Sequence, residues 1–358
     1  MGAGGHRDPA PVGDGDHPVT SHGSKQTRRV GLDNYGLFPL ELSPLATLEW
    51  AIAHGARGVS FSGLAPEWQA QTDAAALVDL RAFAAAHDLY LEWGGAQHIP
   101  RDMTSWVRRD LFDLNRRAAH EASVLGAVTV RSCSGGLMRW DPSNPATETL
   151  LRDTADALTP QATMLRDHGV VLAIETHFEF TSFELLRLFE MCDAQPGDWL
   201  GVCLDTMNLM TMIEHPAWAT ERLLPWVVST HMKDGGLLMG RDGLTTFPVP
   251  IGAGTIDLEG IIQRLDTLPR PVHLSVEDHG GSFLLPIHDE AFLTRFPDLT
   301  GTELAALVHL SEVTAGRPAC RPVERINWPA ICESRIAHDI EALGALARSV
   351  PVVAGGAS

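Results

Sequence analysis

The feature that most constrains the fold of this chain is a short apolar run that recurs eight times. From residue 30 onward, runs rich in Val, Ile and Leu alternate with stretches of helical periodicity. We predict strands at residues 30–37, 58–63, 89–95, 128–135, 170–177, 200–208, 227–235 and 272–279. This alternation is typical of parallel βα units, and a closed (β/α)₈ barrel contains eight of them in about 250 residues. The sequence therefore predicts an α/β fold of the TIM-barrel class.

Helical segments are predicted between the strands and after the last of them. They are residues 44–54, 74–87, 104–125, 148–167, 182–192, 216–224 and 258–268, followed by 303–313 and 334–348. A long insertion, residues 280–299, follows the eighth strand. We divide the chain into a disordered N-terminal extension (1–28), rich in Gly, Pro, Asp and His, a barrel (29–316), and a C-terminal extension (317–358) whose helix packs on the barrel.

The charge balance narrows the choice of partners. The chain has 27 Lys and Arg against 45 Asp and Glu, a formal net charge of −18, which repels nucleic acid and anionic membranes. It has no run of about 18 apolar residues, so no transmembrane span is predicted. The 5 cysteines form no CxxC pair and are odd in number, which is typical of reduced thiols. We expect a cytoplasmic protein that acts on a small molecule.

Ionisable residues stand at the ends of the predicted strands, the face on which TIM barrels carry their active sites. The fifth to eighth strands end with Glu175, Asp205, His231 and Glu277. Three carboxylates and one imidazole form an oxygen-rich set that suits Mn²⁺, Mg²⁺ or Co²⁺ better than a metal that prefers thiolates. The alternative is that each is an ordinary polar residue at the barrel mouth, solvated or salt-bridged.

Four segments of the chain resemble a known family. AIETH (173–177), CLDTMN (203–208), HMKD (231–234) and SVEDHGG (275–281) are similar to the sugar-phosphate isomerase/epimerase group of the xylose isomerase-like TIM barrels. The resemblance covers about residues 30–281, and the order Glu, Asp, His, Glu is its specific part. The resemblance also extends to a branch of C-glycoside deglycosidases in the wider group.

The resemblance implies both a ligand set and a reaction. Glu175, Asp205, His231 and Glu277 would bind one divalent cation, with Mn²⁺ preferred and Mg²⁺ or Co²⁺ as alternatives. Glu175 and Glu277, on opposite sides of the substrate, would exchange a proton at the carbon next to a carbonyl. A metal that bridges the carbonyl and the adjacent hydroxyl stabilises the enediolate that forms. Epimerisation, aldose–ketose isomerisation and elimination share this first step, so the ligand set predicts the step and leaves the product open.

The chain departs from the usual sugar-epimerase pattern at two positions. Asn208 stands where those enzymes place a His, and Leu237 stands where they place an Arg. Lys233, His177 and His279 lie two residues beyond proposed ligands on the same strand faces, and we predict that they donate hydrogen bonds to substrate or act as general acid/base. The alternatives are an orienting hydrogen bond for each His and a carboxylate partner for Lys233.

Further substrate contacts are predicted from strands three and four and from position 208. Glu92 and Trp93 end the third strand, and the indole would stack on a sugar face unless it fills the layer between barrel and helix. His98 follows in a glycine-containing loop. Arg131 would bind a carboxylate or phosphate unless it pairs with a neighbouring acid. Asn208 and His279 complete the predicted substrate-binding set.

Three enzyme functions remain open on the sequence, with a non-catalytic binding role as a minor fourth option. The first is a divalent-metal-dependent carbohydrate isomerase or epimerase. The second is a lyase that cleaves 3-keto glycosides with the help of a small second subunit, for which Asn208, Leu237 and the insertion after strand eight would suit a bulky substrate. The third, a barrel-type abasic-site endonuclease, fits less well because it needs several zinc ions and a surface that attracts phosphate. A homo-oligomer is the other expected assembly.

Overall fold

The computed structural model describes residues 1–2, 28–136 and 138–350, and eight of its strands close into a parallel barrel. The strands are β1 (Val30–Asp33), β2 (Gly58–Phe61), β3 (Tyr90–Ala96), β4 (Thr129–Ser132), β5 (Val171–Glu175), β6 (Leu200–Asp205), β7 (Val227–Met232), β8 (Asp234–Gly240), β9 (Gly243–Val249), β10 (Leu274–Val276) and β11 (Phe283–Leu285). The barrel order is β1-β10-β7-β6-β5-β4-β3-β2. The predicted TIM barrel is confirmed.

Helices surround the barrel and extend beyond it. They are α1 (Pro44–Ala53), α2 (Pro66–Gln71), α3 (Ala74–Ala86), α4 (Phe112–Leu125), α5 (Thr147–Leu158), α6 (Ala162–His168), α7 (Ser182–Met191), α8 (Asn208–Thr211), α9 (Pro216–Leu223), α10 (Leu258–Leu265), α11 (Glu290–Leu293), α12 (Gly301–Ala315) and α13 (Cys332–Ser349). The extra C-terminal helices α12 and α13 confirm that part of the prediction. Within the described ranges, no helix has the length and apolar content to cross a membrane.

Strand alternation divides the side chains between the barrel interior and the helix layer. On β5, Ile174 points outward into the apolar core while Glu175 points inward. Near the bottom of the interior, Gly31 and Gly58 leave room for the ring of Tyr90, which a Cβ atom at either glycine would strike. Tyr90 therefore occupies the space that these two glycines leave, and charged residues occupy the inward positions at the carboxyl ends.

A second sheet, which the sequence analysis missed, follows the seventh barrel strand. β8, β9 and β11 form an antiparallel sheet in the order β11-β9-β8. The predicted strand 227–235 ends at Met232, and the chain becomes extended again at Asp234. The Asp234 carboxylate fixes this junction by accepting the backbone N–H groups of Gly235, Gly252 and Gly254 at 2.8, 2.9 and 2.9 Å.

Three predicted boundaries were wrong for local reasons. The strand 30–37 ends at Asp33, because its carboxylate accepts the N–H of Tyr35 and begins a 3₁₀ segment, Asn34–Leu40. The helix 104–125 begins only at Phe112, since Asp102 accepts two following N–H groups and turns the chain. The helix 148–167 divides into α5 and α6 around Pro160, which has no N–H to donate.

The C-terminal segment returns to the carboxyl ends of the barrel strands. The N–H of Gly281 donates to Val323 O at 2.7 Å, and the indole N–H of the buried Trp328 donates to Gly36 O at 2.9 Å. α13 then packs against β1 and β10. Most of the proposed N-terminal extension, residues 3–27, and the last eight residues of the proposed C-terminal extension, 351–358, lie outside the described residues.

Candidate active site

A layer of ionisable side chains lies inside the barrel at the carboxyl ends of its strands, and a cavity of about 660 Å³ opens onto it. The layer consists of Asp33, Glu92, Arg131, Glu175, Asp205, His231 and Glu277. A larger cavity of about 1190 Å³ lies at the opposite, amino-terminal ends of the strands, beside residues such as Arg29 and Arg57. We place the site at the smaller cavity, because only that cavity contacts the inward layer and because TIM-barrel chemistry occurs on that face.

Three of the four predicted metal ligands converge. Glu175, Asp205 and His231 each present one ligand atom within 4.8 Å of the other two. They end the adjacent strands β5, β6 and β7, and the register sets Asp205 directly beside His231. All three side chains are buried. We refer to these residues as the carboxylate–imidazole trio.

The ring of His231 lies between two carboxylates. Its Nδ1 is 3.3 Å from Glu175 Oε1, and its Nε2 is 3.3 Å from Asp33 Oδ2. Burial favours the neutral ring, but Cys203, Glu175 and Asp33 outweigh it and raise the pKa of His231 well above its usual value. The ring therefore presents Nδ1 to Glu175 and Nε2 to Asp33.

Lys233 joins the fourth predicted ligand to the trio. Its Nζ lies 2.8 Å from Asp205 Oδ2 and also contacts Glu277 Oε2, so Glu277 reaches Asp205 only through the ammonium group. Burial opposes the charge, but Asp205 and Glu277 raise the pKa of Lys233. The chain has only two lysines, Lys25 and Lys233, among its 27 Lys and Arg residues. The structure bears out the alternative of a carboxylate partner for Lys233.

Arg131 lines the cavity and forms a salt bridge with Glu175 Oε2. Burial alone would raise the pKa of Glu175, but Arg131 and His231 hold it well below its usual range. Glu175 is therefore an ionised carboxylate. Arg131 therefore lies at the cavity, as predicted. Its guanidinium pairs with a neighbouring acid, which is the alternative stated for it in the sequence analysis.

Two buried carboxylates beside the trio depend on one ammonium group. Among the described residues, the charged group that contacts both Asp205 Oδ2 and Glu277 Oε2 is Lys233 Nζ. Burying a carboxylate is costly unless a cation or hydrogen bonds compensate it. A divalent cation would satisfy carboxylate oxygens, and two carboxylates with one imidazole suit a hard cation. The residues present fit a metal held by Glu175, Asp205 and His231, with Glu277 joining only if Lys233 moves.

Both predicted donor histidines reach the cavity. Nδ1 of His177 is 3.1 Å from Glu179 Oε2, which orients the ring. Nε2 of His279 is 3.6 Å from Glu277 Oε1, and its Nδ1 is 3.0 Å from the Arg325 guanidinium. Burial lowers the pKa of His279 to about 3, so that ring is neutral beside Glu277.

Two predicted substrate contacts on β3 do not line the cavity. Trp93 points outward, as strand alternation requires next to the inward Glu92, and its indole N–H donates to Glu121 Oε2 of α4 at 3.1 Å. The prediction of a stacking Trp93 was therefore wrong, and the packing alternative holds. Glu92 belongs to the inward layer of the barrel, where burial raises its pKa to about 8.

Three further positions also lie off the cavity. His98 is fully buried, with Nδ1 2.9 Å from Ser132 Oγ. Asn208 begins α8, and its backbone N–H donates to Asp205 Oδ1 at 2.9 Å. Leu237 is buried within β8. His98 and Asn208 are therefore buried beside the cavity and do not line it, and direct substrate contact at these two positions stays a prediction.

Several cavity residues were missed by the sequence analysis. They are Tyr35, Ser62, Cys133, Phe178, Phe283, Glu324 and Arg325. Cys133 lies near the end of the predicted strand 128–135 and Phe178 directly follows the predicted strand 170–177, so strand position could have indicated both residues. Phe283 and Arg325 carry no such signal, because β11 and the C-terminal segment reach the mouth only through tertiary packing.

The end of β10 is supported from behind by α13. Asp278, the residue after Glu277, is buried and pairs with Arg335 at 2.5 Å, and Arg335 also donates to Asp339 at 2.9 Å. A buried guanidinium between two carboxylates fixes the chain direction next to Glu277. The C-terminal extension therefore contributes to the geometry of the site.

Comparisons with known proteins agree with this architecture. The family model described as xylose isomerase-like TIM barrel matches residues 48–293. An L-ribulose 3-epimerase has a TM-score of 0.54 and 17% identity, covering 81% of this chain and 94% of that chain. The IOLI protein with a binding zinc atom has a TM-score of 0.60 and 14% identity, with coverages of 90% and 99%. A probable 3-DHS dehydratase, AsbF, from Bacillus anthracis has a TM-score of 0.54 and 16% identity, with coverages of 79% and 98%. At these identities the likeness is one of fold, and no curated protein sequence matches the chain.

Proposed function

Because the chain belongs to the xylose isomerase-like TIM-barrel family, we propose that it is a divalent-metal-dependent enzyme that isomerises or epimerises a carbohydrate. The observation that carries this proposal is the convergence of Glu175, Asp205 and His231 at the edge of an open cavity. The reaction begins with removal of a proton from the carbon next to a carbonyl and passes through an enediolate. One structure with the same fold is named a sugar 3-epimerase.

The trio would hold the cation, and Mn²⁺ is the preferred ion, with Mg²⁺ or Co²⁺ as alternatives. When bound, the metal supplies positive charge that polarises a substrate carbonyl and its neighbouring hydroxyl. The salt bridge with Arg131 keeps Glu175 ionised, and Asp33 Oδ2 contacts Nε2 of the His231 ring. The chain thus orders its ligand atoms before substrate arrives.

Two carboxylates are positioned to move the proton. Glu175 ends β5 and Glu277 follows β10, with β6 and β7 between them in the barrel order. A carboxylate on each side of the substrate can remove a proton from one face and return it to the other, which inverts the carbon. Lys233 contacts Glu277, and His279 lies 3.6 Å from it, so both can assist proton return.

The lyase remains a second candidate because of an apolar wall in the same cavity. Phe178 and Phe283 both line it, with ring centroids 4.6 Å apart, and Tyr35 lines it as well. Such a surface suits an aromatic aglycone. After the same proton removal, loss of a group at the next carbon would complete elimination. A small second subunit belongs to this candidate, whereas the net charge of −18 disfavours the endonuclease.

Proton exchange with solvent separates these candidates. The protein, loaded with Mn²⁺ in D₂O, is incubated with a panel of aldoses, ketoses and 3-keto glycosides, and products are followed by NMR and mass spectrometry. Deuterium at the carbon next to the carbonyl of an otherwise intact sugar supports isomerisation or epimerisation, and a released aglycone supports the lyase. Glu277→Gln should slow exchange by about 10²–10⁴-fold, while exposed Glu259→Gln serves as the control. Full activity in both Glu175→Gln and Glu277→Gln would overturn the assignment of the bases.

A further inference from the structure

A second cluster of potential ligands lies in the wall of the same cavity. Cys133 follows β4, and His177 and Glu179 follow β5. One ligand atom from each lies within 4.8 Å of the other two. Cys133 and His177 are partly exposed to the cavity, and Glu179 is buried behind them. The carboxylate–imidazole trio does not include any of these residues.

The carboxylate of Glu179 is buried, and its contacts come from one imidazole and one backbone amide. It accepts the Gly135 N–H and lies 3.1 Å from His177 Nδ1. Gly135 reaches it with φ +73, a left-handed conformation that glycine adopts freely. Within the described ranges of the chain, no lysine or arginine pairs with this carboxylate. A buried anion that faces only an imidazole and one amide is a favourable place for a cation.

We infer that Cys133, His177 and Glu179 form a second metal site, distinct from the trio and selective for zinc. Sulfur, nitrogen and oxygen donors together are typical of zinc, whereas the trio offers only nitrogen and oxygen. Three protein ligands leave the fourth tetrahedral position for water or substrate, and the exposure of Cys133 and His177 places that position towards the cavity. This inference does not depend on the reaction proposed above.

The thiol makes the site measurable without a substrate. Co²⁺ replaces Zn²⁺ in tetrahedral sites, and a thiolate bound to Co²⁺ gives a charge-transfer absorption in the near ultraviolet. The trio contains no sulfur and cannot produce it. We expect the Co²⁺-loaded protein to show this absorption, Asp205→Asn to retain it, and Cys133→Ser to lose it.

Two other cysteines serve as comparisons. Cys192 is a buried thiol at the end of α7, and Cys192→Ser should leave the absorption unchanged. Cys203 lies on β6 inside the barrel, next to the trio, and is the rival source of a thiolate. Loss of the absorption in Cys203→Ser together with its retention in Cys133→Ser would overturn the inference, as would absence of the absorption from the wild-type protein.

Zinc stoichiometry separates this site from the trio. After loading with Zn²⁺ and desalting, elemental analysis should give two ions per wild-type chain and one in either Cys133→Ser or Asp205→Asn. One ion in the wild type that disappears in Cys133→Ser but remains in Asp205→Asn would support this site and contradict the trio. One ion that remains in Cys133→Ser but disappears in Asp205→Asn would overturn the second site alone. Circular dichroism of each variant confirms that the barrel is folded.

Discussion

Asp33 Oδ2 lies 3.3 Å from Nε2 of His231, whose other ring nitrogen, Nδ1, lies 3.3 Å from Glu175 Oε1. Asp33 is fully buried at the end of β1, and its other oxygen accepts the N–H of Tyr35 at 2.9 Å. A carboxylate behind a ligating histidine fixes its tautomer and strengthens it as a ligand. At the proposed metal site, Asp33 would therefore position His231 without itself lining the cavity.

Asp33→Asn should weaken Mn²⁺ binding at the trio by about 10–100-fold, as is typical when such a partner is lost. Asparagine keeps an oxygen for the N–H of Tyr35, so the local turn should persist. The dissociation constant is measured by titration of chelator-treated protein. Asp73→Asn, at the start of α3, is the control, because Asp73 is also an N-cap but lies far from the mouth. An unchanged dissociation constant in Asp33→Asn would show that Asp33 does not act on His231.

Lys233→Met should make the thermal stability of the folded chain depend on bound Mn²⁺. The ammonium group lies against Asp205 and Glu277, and removing it leaves two buried carboxylates without their cation, at a cost of about 3–5 kcal/mol. Mn²⁺ no longer competes with Lys233 and should raise the melting temperature of the variant more than that of the wild type. Thermal unfolding with and without Mn²⁺ tests this. A Mn²⁺-induced rise in melting temperature that is equal or smaller in the variant than in the wild type would contradict this prediction. Arg166→Met, which breaks a surface ion pair, is the control, and its response to Mn²⁺ should equal that of the wild type.

Glu92 should make the protein less stable as pH rises. Burial raises the pKa of Glu92 from 4.5 to about 8, so the folded chain keeps a proton that the unfolded chain releases between these values. The free energy of unfolding then falls by up to about 1.4 kcal/mol per pH unit in this window. Glu92→Gln removes that contribution. In urea unfolding between about pH 5 and 8, the stability of the variant relative to wild type should increase with pH, and a constant difference would refute the prediction.

Arg335→Met should destabilise the C-terminal support of the site. The guanidinium is buried between Asp278 and Asp339, and its loss leaves both acids unpaired, at a cost of about 3–5 kcal/mol. Arg116→Met, in an exposed pair with Asp113, should cost less than about 1 kcal/mol. Urea unfolding of both variants gives the comparison. Equal costs would mean that the buried triad does not anchor α13.

The barrel could be predicted because its signal is local. Each parallel strand is a short apolar run with an ionisable residue near its carboxyl end, and barrel closure brings those ends together. Glu175, Asp205, His231 and Glu277 were therefore predicted to approach one another, and the first three lie together in the structure. The antiparallel sheet of β8, β9 and β11 escaped prediction for two reasons. β8 is glycine-rich although it forms a local hairpin with β9, and β11 has only three residues and pairs with β9 from beyond the eighth barrel strand.

The remaining features of the site depend on side-chain direction and long-range packing. Trp93 and Glu92 are adjacent in sequence, and only the strand register shows which of them points outward. The contact of Asp33 with His231 requires β1 to close the barrel beside β10 and β7. Arg335 reaches Asp278 only after α13 has packed on the barrel. The spacing of apolar residues along the sequence does not indicate any of these three relationships.

The proposed metal site is tested by titrating chelator-treated protein with Mn²⁺ and following free Mn²⁺ by electron paramagnetic resonance. We predict one Mn²⁺ site per chain, which is lost in Asp205→Asn and retained in Cys133→Ser. Asparagine keeps the oxygen that accepts the N–H groups of Met207 and Asn208, so the turn after β6 should remain intact. A wild-type protein that binds no Mn²⁺, or an Asp205→Asn variant that binds it as tightly as the wild type, would contradict the trio as a metal centre.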